Sequence, residues 1–197
     1  RRRASRVTQA PPRLFTIGDG EGMTLTLMDI GATWLSCRVP LTHGASREVL
    51  LGHATPEDHL REPGYLGVVV GRYANRIANA RFTLDDREHR LVPNEGPHQL
   101  HGGPDGFHRR RWQVVQASAQ HLRLALDSPA GDRGFPGNLH AEVEFRLEAS
   151  RTIAITFETE VDNPCPVNLT SHAYFNLDGA HHDVRSHRLR VAADRYL

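Results

Sequence analysis

The run Leu139-His-Ala-Glu-Val-Glu-Phe-Arg-Leu-Glu148 alternates apolar and polar side chains without a break. Leu139, Ala141, Val143, Phe145 and Leu147 fall on one face, and His140, Glu142, Glu144, Arg146 and Glu148 on the other. Successive side chains of a strand point to opposite faces, so the pattern predicts a strand with one face in the core and one in water. Just downstream, Ile153, Ile155, Phe157, Thr159 and Val161 repeat the pattern opposite Thr152, Ala154, Thr156, Glu158 and Glu160. Leu122-Arg-Leu-Ala-Leu126 and Met23-Thr-Leu-Thr-Leu27 have the same period. Turn clusters separate the runs: Gly18-Asp-Gly20, Asp85-Asp86, Pro129-Ala-Gly-Asp132 and Asp162-Asn-Pro164. No long stretch shows the helical period; Pro56–Leu60 is expected to make one short helical turn with Thr55 as its N-cap. Many short strands joined by regular turns predict an all-β fold, a large antiparallel β-sandwich.

The length of 197 residues and an apolar share of 39% allow a sizeable core. Residues 1–12 read as a mobile basic arm ending in Pro11-Pro12, and 13–197 as the N-terminal portion of a single sandwich domain. The 24 basic residues, all arginine, nearly cancel 23 acidic ones, which argues against a nucleic-acid partner. Without lysine there is no Schiff-base, Walker or Ser–Lys chemistry. Two cysteines, Cys37 and Cys165, exclude a disulfide framework and Zn–Cys clusters. No apolar run approaches the roughly 18 residues that span a bilayer, so no membrane partner is expected. The N-terminus lacks the apolar stretch of a secretory leader, and a cytoplasmic setting is expected. The chain still alternates from Ser186 onward and ends on the apolar Tyr196 and Leu197, which predicts a domain incomplete at its C-terminus.

Three segments break the strand pattern with chemistry. Gly71–Phe82 delivers Arg72, Asn75, Arg76 and Asn79 in quick succession, fork-shaped donors and amides suited to a polar ligand. Surface salt bridging is the alternative reading. Asn94–Pro104 sets His101 beside Gly102-Gly103, where the backbone bends sharply or approaches a ligand. His98 and His101 have a metal-like spacing, but a metal needs a third ligand and an ordered support, so a polar-contact or acid/base histidine fits better and no metal is expected. Pro164–Gly179 places Asn168, Thr170, His172, Tyr174 and Asn176 at alternate positions, opposite Val167, Leu169, Ser171, Ala173, Phe175 and Leu177. A buried strand would need a partner for each of those polar groups, so a binding face is expected.

In this order, the stretches GRYANRIANARFTL (71–84), LHGGPDGFHRRRW (100–112), GDRGFPGNL (131–139) and PVNLTSHAYFNLDG (166–179) resemble the aldose 1-epimerase (galactose mutarotase) family. The likeness runs from about residue 15 to the end. It implies a galactose mutarotase-like supersandwich with the sugar site on its concave face. It also implies a cofactor-free interconversion of the anomers of a free hexose such as glucose or galactose. By the resemblance, His172 matches the proton donor and His101 a second catalytic histidine near the ring oxygen. Asn75 and Arg76 match a sugar-binding pair, Tyr174 matches a further contact, and Arg72 is held as structural. The family's general base, a glutamate near the C-terminus, and a sugar-binding aspartate before it have no counterpart here. The resemblance therefore implies impaired conversion. Three alternatives stand beside it. One is a hexose-6-phosphate 1-epimerase using Arg109-Arg110-Arg111. Another is a non-catalytic carbohydrate-binding module. The third, a metal-dependent lyase or hydrolase, needs a ligand cluster the sequence does not assemble. The preferred hexose and the oligomeric state are left open.

Overall fold

The computed structural model describes residues 10–61, 64–179 and 182–195. Most of the expected basic arm (residues 1–9) and the apolar pair at 196–197 lie outside the described residues. The first sheet has the order β1-β2-β3-β4 and is antiparallel throughout, with β1 (Leu14–Gly18), β2 (Thr24–Met28), β3 (Thr33–Pro40) and β4 (Ser46–Glu48). The turn between β1 and β2 is tied by Asp19, whose Oδ1 accepts the amides of Glu21 and Met23. The short helix α1 (Pro56–Arg61) follows. Thr55 Oγ1 accepts the Asp58 amide at 3.2 Å and donates to Asp58 Oδ2 at 2.7 Å, a reciprocal N-terminal cap.

Short strands build the middle of the chain: β5 (Val69–Val70), β6 (Arg76–Ile77), β7 (Arg81–Leu84), β8 (Arg87–Arg90) and β9 (Gln99–Leu100). β6 pairs with β9, and β7 with β8 across Asp85-Asp86, both at positive φ as a tight hairpin requires. The second large sheet, in the order β10-β11-β12-β13, comprises β10 (Gln113–Ala117), β11 (His121–Ser128), β12 (Leu139–Glu148) and β13 (Thr152–Val161). Finally β14 (Thr170–Ser171) pairs with β5.

The two large sheets bury one shared core. Leu25, Leu27, Trp34 and Cys37 from the first meet Leu122, Leu124, Ala141, Val143 and Phe145 from the second. Each leucine, valine or phenylalanine among them stabilises the fold by roughly 1.5–3 kcal/mol of apolar burial. β12 follows its sequence pattern along its whole length, with all five apolar positions buried. β13 departs from it. Ile153, Ile155 and Phe157 pack against the core only part-buried, and Val161 is 42% exposed, because β13 is the edge of its sheet.

Arg72 anchors the site-bearing segment to this scaffold. It is 2% exposed, and its guanidinium donates to Ser128 Oγ (3.0 Å), Ser128 O (2.6 Å), Pro129 O (2.9 Å) and Pro136 O (2.9 Å). Ser128 Oγ in turn donates to Asp132, which pairs with Arg110. A buried charge is tolerated when its donors are used this fully, and the structural reading of Arg72 follows. The neighbouring Gly71 has no room for a side chain: a Cβ there would meet Leu169 Cδ2 at 2.4 Å and Phe107 Cδ2 at 2.6 Å.

Candidate functional site

The segments carrying chemistry converge. His172 leaves β14 with its amide donated to Val68 O (2.8 Å) and its carbonyl accepting the Gly67 amide (3.0 Å). His101 follows β9 at a φ of 51°, its amide donated to Asn75 O at 3.1 Å. The two imidazoles stand 5.0 Å apart, ring centre to ring centre, and nearly perpendicular at 88°. Tyr174 packs on the far side of His172 at 5.1 Å and is 43% exposed. Asn75 and Arg76 are exposed beside them.

Asn75 sets the chemistry of His101. The Asn75 amide donates to His101 Nδ1 at 3.0 Å, so the neutral ring carries its proton on Nε2 and presents a donor. Burial pushes the His101 pKa down to about 4, with the nearby His172 and Arg76 adding to the effect. His101 is therefore neutral near pH 7, a fixed hydrogen-bond donor. His98 is oriented in the same way: its Nδ1 accepts the Asn79 amide at 3.0 Å. Both imidazoles thus turn toward the 75–79 segment.

Arg76 is held by Glu95, which the sequence reading did not single out. Its Nε and Nη2 meet the two carboxylate oxygens at 2.5 and 2.7 Å, a bidentate pair that fixes the fork. Nη1 is left toward Asn75 Oδ1 at 3.5 Å. The only advance signal for Glu95 was its place in the turn before His98 and His101.

The expected five-residue polar face of Pro164–Gly179 does not hold as one unit, because only Thr170–Ser171 forms regular strand. Asn168 Nδ2 donates to Ala74 O, and Asn176 Nδ2 to Gly179 O and His182 O; both amides tie backbone together. His172 and Tyr174 are the members that reach the histidine cluster. On the opposite side Val167, Leu169 and Ala173 pack on the core, while Phe175 and Leu177 are exposed.

Tyr65 and His108, absent from the sequence reading, complete the cluster. The Tyr65 ring lies 4.7 Å from His101, 4.8 Å from His108 and 5.8 Å from His172. Tyr65 also lines a cavity of about 310 Å³, together with His108, His53, His59 and Arg109. His101 and His172, both half-buried, are not among its lining residues. Within the arginine run Arg109 is exposed, while the other two are paired. Arg110 pairs with Asp132, and Arg111 with Asp29, which is fully buried and also bound by Arg13. No helix of the described residues is long and apolar enough to cross a membrane.

A fixed imidazole donor, a second imidazole, an amide and a clamped guanidinium standing together suit proton transfer on a small polyhydroxylated ligand. The chain is similar to several known proteins. The family model described as aldose 1-epimerase matches residues 13–197. Aldose 1-epimerase of Escherichia coli (strain K12) is 53% identical over 187 residues, which are 95% of this chain and 54% of that protein. Galactose mutarotase of Rattus norvegicus is 38% identical over 178 residues, 89% of this chain and 51% of its own length. Among solved structures, a GalM/aldose epimerase homologue from C. elegans has a TM-score of 0.82 at 32% identity, covering 86% of this chain and 52% of that one. The chain spans about half the length of the curated relatives it matches.

Proposed function

The chain belongs to the aldose 1-epimerase family, and we propose that it carries the acid side of a site that interconverts the α and β anomers of a free hexose such as galactose or glucose. The observation that carries this reading is the His101–His172 pair, 5.0 Å apart, with Asn75 and Arg76 beside it. A pyranose opens when a base takes the anomeric hydroxyl proton and an acid protonates the ring oxygen; the aldehyde end rotates and the ring recloses on its other face. His172 is the acid in this reading. His101, with its proton on Nε2, donates a hydrogen bond to the ring oxygen region and shares the charge that develops there. Asn75, Arg76 and Tyr174 hold the sugar. No metal or cofactor enters the reaction.

A free hexose is favoured over a hexose 6-phosphate because two of the three arginines of the run, Arg110 and Arg111, are already bound to Asp132 and Asp29. Both cysteines are free thiols, which supports work in the reducing cytoplasm. The base is proposed to be missing from these residues: Glu95 borders the site but is taken up by Arg76. Polarimetry of freshly dissolved α-galactose tests the proposal. A positioned base contributes on the order of 10²–10⁴ in rate, so we expect relaxation at least about 100-fold slower than with the E. coli relative at equal concentration. Comparable rates would refute the missing base. Full failure to bind galactose would refute the sugar site itself.

A further inference from the structure

We propose that Tyr65 is the positioning residue of the histidine pair, its ring forming the common wall on which His101 and His172 are held at right angles. This deepens the proposed function and rests on it for its purpose, but its geometry stands alone. Tyr65 is placed from three directions. Its ring meets His101, His108 and His172 at 4.7, 4.8 and 5.8 Å. Its backbone has a φ of 55°, a region that bulky side chains adopt only when their surroundings hold them there. Two residues further on, Gly67 donates its amide to His172 O at 3.0 Å, so the segment that carries Tyr65 is pinned to the His172 backbone.

The His101 turn is held from its own side. Asn94 Oδ1 accepts the Leu100 amide at 2.7 Å, and its Nδ2 donates to Leu100 O at 3.0 Å. Leu100 is the residue before His101. The Tyr65 ring therefore acts on the two imidazoles through its ring contacts with them. The same ring packs against His101 at 4.7 Å, which agrees with burial as the leading cause of the low His101 pKa. The charged and titratable groups facing that imidazole are His172, Arg76 and Glu95, with His108 across the Tyr65 ring.

The test follows imidazole nitrogen resonances of the labelled chain against pH in wild type, Tyr65→Phe and Tyr65→Leu. Wild-type His101 is expected to titrate near pH 4. Tyr65→Leu is expected to raise that midpoint by about one pH unit or more, as water reaches the ring, and to displace the His172 resonances. Tyr65→Phe keeps the ring and is expected to stay within a few tenths of a unit of wild type. A Tyr65→Leu chain with an unchanged His101 titration and unmoved His172 resonances overturns the proposal, and so does Tyr65→Phe moving as far as Tyr65→Leu. His140, on the outer face of β12, reports whether each variant is folded. Should Tyr65→Leu fail to fold, the wild-type chain decides: Overhauser contacts from the Tyr65 ring to both imidazoles are expected, and their absence overturns the proposal. Added galactose separates the two readings. Unmoved wild-type His101 and His172 resonances would sink the sugar site and leave the Tyr65 result standing.

Discussion

Replacing Arg72 by Met is expected to cost the chain about 3–5 kcal/mol of stability, read as a fall of roughly 1.5–2.5 M in the urea midpoint at unchanged slope. Methionine fills much of the stem's volume but supplies no donor. Ser128 O, Pro129 O and Pro136 O then lose a charged partner in a site that water does not reach freely. Each stranded carbonyl carries a desolvation penalty of about 1–3 kcal/mol, partly shared because the three converge on one group. Arg72→Lys is expected to recover only part of the loss, since an ammonium has three donors and no planar fork. A loss under about 1 kcal/mol for Arg72→Met would show that the guanidinium network is dispensable.

Gly102→Ala is the second large effect, expected at about 2–4 kcal/mol together with displacement of His101. Gly102 has a φ of +81°, where an L residue is strained by roughly 1–2 kcal/mol. A Cβ there would also lie 1.9 Å from Gly71 O and 2.7 Å from Arg72 N. That is backbone against backbone, so the clash is relieved only by moving the 71–72 segment or the His101 turn, at about 1–3 kcal/mol more. Either movement breaks the 3.0 Å bond between the Asn75 amide and His101 Nδ1. Urea denaturation gives the stability change, and the His101 nitrogen resonances give the displacement. A variant of wild-type stability with an unchanged His101 spectrum would contradict the close approach.

The two effects lie on the parts of the molecule that the sequence conveys unequally. β11 and β12 could be read directly, because a strand covered on one face writes a period of two into its residues. β13 carries the same period, yet its burial depends on being at the sheet edge, which no local pattern records. His101, His172, Asn75 and Arg76 stand out by residue type in their own segments, the family resemblance adds a role for each, and the structure brings them near one another. The polar alternation of Pro164–Gly179 misled as a face, since Asn168 and Asn176 spend their amides on backbone and the segment is regular for only two residues. Left-handed residues such as Asn75, Asn79 and His101 interrupt any period within the candidate site. Tyr65, Glu95 and His108 escaped because their partners are distant in sequence and their own stretches are aperiodic. The arginine run was opaque for the same reason: its carboxylates, Asp29 and Asp132, lie on other parts of the chain.

The central claim is that two imidazoles and the Asn75–Arg76 pair form one sugar-sized recognition surface. Titration of the labelled chain with galactose, followed at the His101 and His172 ring nitrogens, tests it most directly. We expect both rings to move along a single saturation curve while His140 stays still. Rings that do not move, or that move with separate affinities, would contradict it.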